Sequence, residues 1–241
     1  MWEDFNMFTP YHRFRGCLRF KREFKRLSEA GSISDSIQQL HNRYHYALFH
    51  KLKSGKYHLE NLERLLSSTP PQDVVSLDTS SEFLFNTNLH IDNFFYSTGS
   101  ALDILSREIL SYFGIPFPPK VYFHTAYEEL SRLRPGDQLL QRLDSPSWKE
   151  EFSNYRNALT HELLVVGRYS LDVQVDGGNP RQIITVPLPD NPREDMVVRT
   201  YKKNPDAKNY CADTFRRVVS LINQIYSEIT DRMVTLNHLP L

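Results

Sequence analysis

Residues 91–112 read IDNFFYSTGSALDILSREILSY, and this stretch decides the fold. Ile91, Phe95, Thr98, Leu102, Leu105, Ile109 and Tyr112 follow one another in steps of four and three. A helix turns about 100° per residue, so that spacing lines one face. Phe94, Ala101, Ile104 and Leu110 widen the apolar face. The stretch therefore predicts a long central helix buried on more than one side. Thr79-Ser80-Ser81-Glu82 ahead of it has the form of a capping box, and Gly114 and Pro116 end it.

The flanking segments follow the same period. Residues 17–29 place Phe20, Phe24 and Leu27 on one face and Arg15, Arg19, Arg22 and Arg26 on another, with Gly31 closing the segment. From Ser34 to Lys53 the stripe is Ile37, Leu40, Tyr44, Leu48 and Leu52. A break is expected near Gly55, a resumption from Tyr57 to Leu66, and a loop at 67–71. A shorter helix is expected over Phe123–Leu133. Another begins at Ser145-Pro146-Ser147, with Trp148, Phe152, Tyr155, Leu159 and Leu163 on its buried side.

The period then changes. Leu171, Val173 and Val175 alternate with Asp172, Gln174 and Asp176, a turn spans 176–180, and Ile184, Val186 and Leu188 alternate beyond it. That is a β-hairpin. The last helix runs from about Asp206 to Met233 on a stripe of Cys211, Phe215, Val218, Ile222, Ile225 and Ile229. The expected fold is mainly α: an antiparallel helical bundle with a β-hairpin at about 168–188 inserted before the C-terminal helix. An N-terminal helical segment, 1–75, is expected to pack on a bundle formed by 76–241.

Charge excludes little. Lys and Arg number 29, as do Asp and Glu, so net charge gives no global argument for nucleic acid. Locally, Arg13, Arg15, Arg19, Lys21, Arg22, Lys25 and Arg26 stand against a single Glu23, with Phe14, Phe20 and Phe24 interleaved. Arg15, Arg19, Arg22 and Arg26 are candidate RNA-backbone contacts; the plain alternative is a surface helix with solvated arginines.

Cys17 and Cys211 lie too far apart in sequence for a CxxC metal site and imply no disulfide framework. No apolar run is long enough to cross a bilayer, and the start lacks a leader pattern, so a cytoplasmic protein is expected. His41 and His45 have the i, i+4 spacing of metal ligands, but Asn42, Arg43 and Tyr44 supply no carboxylate between them. A solvated or half-buried helix face is expected there, with no metal and no cofactor. Asp92 and Asp103 share a face of the central helix, as groups supporting a site or as caps of its polar side. No Walker loop, GxGxxG or GxSxG occurs.

One motif carries chemistry: Arg156-Asn157-Ala158-Leu159-Thr160-His161. A guanidinium can hold a phosphate by a fork of donors, and an imidazole moves protons near neutral pH. Asn157 and His161 stack on a helix face away from the apolar stripe. Arg156 lies about 140° round from His161, so the two diverge on an ideal helix. The plain alternative is a solvated polar face.

Arg156, Asn157 and His161, on a late helix following a long central one, resemble the motif of the HEPN superfamily. The resemblance covers roughly 80–235. It implies a helical bundle and a metal-independent endoribonuclease, a homodimer in which two copies bring their motifs together. His161 would act as general acid or base, Arg156 would bind the phosphate, and Asn157 would orient the imidazole or hold the RNA backbone. RNA as partner, a toxin-like role in defence or stress, and a regulatory antitoxin or partner protein follow from the same resemblance. The alternative is a non-catalytic helical module binding nucleotide, RNA or a protein partner.

Overall fold

The structure, a computed structural model, describes residues 15–68, 77–144, 147–161, 168–176, 179–194, 198–203 and 205–239. Within these, the side chains of residues 15, 77–80, 160–161, 171–176 and 179–182 are not described. Of the sequence expectations, residues 69–71 of the loop at 67–71, the Ser145-Pro146 helix start and Leu163 lie outside the described residues.

The chain is mainly α-helical, a helical bundle with a β-hairpin before its C-terminal helix. In order the elements are α1 (Arg15–Glu29), α2 (Asp35–Ser68), α3 (Leu77–Tyr112), α4 (Phe123–Leu133), α5 (Leu139–Leu143), α6 (Ser147–His161), β1 (Ser170–Asp176), β2 (Asn179–Thr185) and α7 (Ala207–Leu236). The short α5 was not expected from the sequence, which gives it barely one turn of period.

Every residue of the predicted α3 stripe is buried, from Ile91 to Tyr112. The C-terminus closes as a Schellman motif. Gly114 takes φ 64, its N–H donates to Ser111 O, and Ile115 N–H donates to Leu110 O. Gly31 ends α1 the same way at φ 70, with Ser32 N–H donating to Leu27 O. The start differs from expectation. Helix begins at Leu77, so Thr79 lies inside the first turn and is not the N-cap.

The expected break at Gly55 is absent, and α2 runs unbroken for 34 residues. Packing explains the glycine: a Cβ there would stand 2.8 Å from Thr98 Oγ1 on α3. Gly55 thus permits a close helix approach rather than ending the helix. The buried stripe of α2 also differs. His41 and His45 are buried with Leu48, Leu52, Leu59, Leu62 and Leu66, while Ile37, Leu40 and Tyr44 are half-buried.

The hairpin is antiparallel from Ser170↔Thr185 to Asp176↔Asn179, so Asn179 and Pro180, expected in the turn, open β2. Asp206 starts α7 by accepting a hydrogen bond from Asn209 N–H at 3.1 Å.

The chain forms two compact units, each drawing on helices from both sides of residue 75. The first comprises Met1–Lys51, Ser100–Ser147 and Arg216–Leu241. Its core holds Phe20, Leu48, Leu105, Ile109, Ile222 and Ile225. The second comprises Leu52–Gly99 and Trp148–Phe215. Its core holds Leu62, Phe94, Phe95, Phe152, Val186 and Phe215.

Candidate functional site

The motif helix α6 is fixed in the second unit by its apolar side. Phe152, Tyr155 and Ala158 are buried. The Tyr155 hydroxyl donates to Pro189 O at 2.6 Å, and its ring lies 5.6 Å from Phe95 and 5.1 Å from Tyr210. Burial pushes the Tyr155 hydroxyl well above its usual range, so it stays a donor. This anchoring sets the direction of the next residue.

Arg156 is half-buried and points at α3. A Cβ placed on Gly99 would stand 2.5 Å from Arg156 Nε, 2.6 Å from Cδ and 2.9 Å from Cζ. The guanidinium therefore lies close against Gly99, where a Cβ would make the arginine side chain shift. Asn157, next in sequence, is exposed. His161 is the last residue of α6, and its side chain is outside the described residues. Gly99 was not singled out from the sequence. Its signal was a glycine inside a strongly periodic helix, where glycine costs about 1 kcal/mol against alanine.

Asp92 lies seven residues before Gly99, two turns along the same face of α3. Burial pushes its carboxyl up to about 6. Its Oδ1 has no hydrogen-bond partner among the described residues. This group can exchange a proton near neutral pH. Asp103 has a structural role in the first unit, where Oδ1 accepts from Phe123 N–H, the first residue of α4, at 3.0 Å.

The segment after the hairpin is tied down by polar contacts. Asp190 accepts from the Thr200 hydroxyl at 2.8 Å and from the N–H groups of Lys202 and Lys203 at 2.7 and 2.8 Å. Arg199 donates to Glu194 O and Pro192 O. The Arg168 guanidinium stacks 3.6 Å over the Tyr201 ring.

The basic helix α1 is partly neutralised. Arg19 pairs with Asp231 at 2.6 Å, and Arg26 pairs with Glu23 at 2.5 Å and donates to Asn237. Arg22 is exposed, and the Arg15 side chain is not described. Exposed pairs of this kind contribute little to stability, and they dilute the field the arginine stripe projects.

The histidines of α2 differ most from expectation. His41 and His45 are 4% and 2% exposed, not solvated. The carboxylate that the sequence lacks between them comes from α3. Glu108 is wholly buried, and its Oε1 lies 3.2 Å from His41 Nδ1 and 3.0 Å from His45 Nδ1. The Tyr112 hydroxyl donates to the same oxygen, and the Tyr226 hydroxyl donates to Oε2 at 2.5 Å. Burial alone would push the Glu108 carboxyl up, but the imidazoles beside it hold it well below the ordinary carboxylate range. Burial pulls His41 down against the pull of Glu108.

In the second unit, His58 and His90 face each other with Nδ1 atoms 3.2 Å apart. Burial lowers the pKa of both, so one neutral ring donates to the other.

No family model, curated protein or solved structure matches this chain.

Proposed function

We propose that this chain is a metal-independent endoribonuclease of HEPN type that works as a homodimer, with Arg156, Asn157 and His161 as the half-site of each copy. The observation that carries the reading is the seat of Arg156. Its guanidinium is held against the Gly99 notch of α3 by a helix whose opposite face is core, beside an exposed amide at Asn157. A phosphate-binding arginine gains from a fixed fork of donors.

The chemistry is balanced by two copies. One His161 takes the proton of the ribose 2′-hydroxyl as that oxygen attacks phosphorus. The other gives a proton to the 5′-oxygen as its bond to phosphorus breaks. Arg156 stabilises the charge growing on the phosphoryl oxygens, and the products are a 2′,3′-cyclic phosphate and a 5′-hydroxyl. This division of labour takes two histidines, and a second copy of the chain would supply the other one. A toxin-like enzyme acting in defence or stress, held by a partner protein, fits such an activity.

Purified protein with EDTA, its fold checked by circular dichroism, should cleave total RNA and leave DNA intact, because DNA lacks the 2′-hydroxyl. Arg156→Ala and His161→Ala should each abolish cleavage while remaining folded. Intact RNA under all conditions, or equal cleavage by both variants, leaves the enzymatic reading without support and favours a non-catalytic binding module.

A further inference from the structure

We infer that the buried cluster of His41, His45 and Glu108 is a structural site for a divalent first-row transition ion. It lies in the first unit and does not depend on the proposed ribonuclease chemistry.

The donor set is of the right kind. Two imidazoles and a carboxylate suit zinc, iron or manganese, whereas calcium and magnesium take oxygen alone. These three residues each present a ligand atom, and all such atoms lie within 4.8 Å of one another. Two ligands about 2.1 Å from one ion, at tetrahedral or octahedral angles, stand about 3.0–3.4 Å apart. The Nδ1–Oε1 separations of 3.2 and 3.0 Å fall within that range.

Protons alone serve this centre poorly. His41 Nδ1 lies 2.6 Å from the Tyr112 hydroxyl and also within reach of Glu108 Oε1. His45 Nδ1 is shared in the same way between Glu108 and the Tyr226 hydroxyl, 2.9 Å away. Each phenol already gives its single proton to the carboxylate. Each imidazole N–H must then serve two oxygens at once, which makes both bonds weak. A cation accepts all the lone pairs together and frees the phenols to orient the carboxylate.

The surroundings suit a closed structural centre. The ligands come from α2 and α3, the hydroxyl of Tyr226 comes from α7, and all are buried. Phe20 of α1 walls the cluster, its ring 4.8 Å from Tyr226 and 5.2 Å from Tyr112, and Phe24 lies 4.0 Å from His41. An ion so enclosed is acquired as the chain folds, and its binding energy then adds to folding.

The test measures metal content of the full chain as isolated, then refolds it with Co(II) as a spectroscopic probe. Expected are about one ion per chain, a Co(II) ligand-field spectrum with nitrogen and oxygen donors, and a thermal midpoint that rises on refolding with Zn(II). Glu108→Gln and the paired His41→Ala/His45→Ala variant should lose both ion and spectrum. Should those variants fail to fold, the wild-type Co(II) spectrum and midpoint shift decide. Wild-type protein that folds without an ion, gives no Co(II) spectrum and melts identically with and without Zn(II), Co(II) and Mn(II) overturns the inference. A Co(II) spectrum surviving in folded variants overturns it equally.

Discussion

Replacing Gly99 with alanine separates a functional seat for Arg156 from a merely structural one, because only a functional seat loses activity while stability stays near wild type. The new Cβ would meet Arg156 at 2.5 Å from Nε and 2.6 Å from Cδ. Ordinary van der Waals separation is about 3.5 Å or more, so the side chain must retreat by about 1 Å. That retreat is cheap, since the atoms met belong to a flexible side chain. An off-rotamer arginine costs about 0.5–1.5 kcal/mol. The helix meanwhile gains about 1 kcal/mol from alanine in its interior.

Stability of Gly99→Ala should therefore stay within about 1 kcal/mol of wild type. A displacement of about 1 Å in a positioning group costs about 100-fold in rate, equal to about 2.7 kcal/mol in the transition state. Single-turnover cleavage of a labelled RNA, run beside urea unfolding, reads both quantities. Wild-type cleavage by a variant of wild-type stability would refute the role assigned to the notch. So would a variant that loses activity only in proportion to lost fold.

Two further outcomes follow from side chains on the same helices. The Asp92 carboxyl is raised to about 6, so the folded chain holds a proton that the unfolded chain releases near pH 4, and stability is lost as pH rises through 6. Asp92→Asn should match wild type near pH 4 and gain about 1–2 kcal/mol at pH 7.5, a figure reduced for the partial exposure of the group. Equal gains at both pH values in urea unfolding count against it. Gly16→Ala should be severe, at about 2–3 kcal/mol or more, because its Cβ would stand 2.3 Å from both Asn223 O and Ser227 Oγ of α7. A thermal midpoint unchanged from wild type would show that α1 shifts freely against α7.

The helices were legible because their periods are strong and their ends obey local chemistry. Gly31 and Gly114 read correctly as C-terminal closures, and the α4 limits Phe123 and Leu133 match the structure. The errors came where tertiary packing reverses a local signal. Gly55 reads as a breaker but serves a close approach to Thr98. His41 and His45 read as polar, yet they extend the Leu48, Leu52, Leu59, Leu62, Leu66 stripe backward in steps of four and three. Glu108 likewise continues the heptad steps from Phe94 through Ala101. On these registers all three fall at core positions, but the α2 stripe read from the sequence followed Ile37, Leu40 and Tyr44 instead. A polar residue at a core register signals a partner on another element, and single-helix patterns do not show which. The Arg156 motif was legible as residues, but its depth was not, since the notch depends on a glycine 57 positions earlier.

The helix glycines rank the two centres. Gly16, Gly55 and Gly99 each sit where a Cβ would strike a neighbour. At Gly16 the neighbour is a backbone carbonyl that the structure cannot move, and Gly16 N–H donates to Asn223 Oδ1 at 2.7 Å. At Gly55 it is the hydroxyl of buried Thr98. Both glycines hold helices close. Gly99 admits the charged end of a half-buried arginine. A charged group seated at a helix contact is a candidate for binding, which is the reading proposed for Arg156. The Glu108 cluster holds buried charge too, but enclosed among aromatic rings and four hydrogen-bonding partners, which fits a closed structural role. The Arg156 seat, half-buried with exposed Asn157 beside it, is the one the proposed phosphate contact uses.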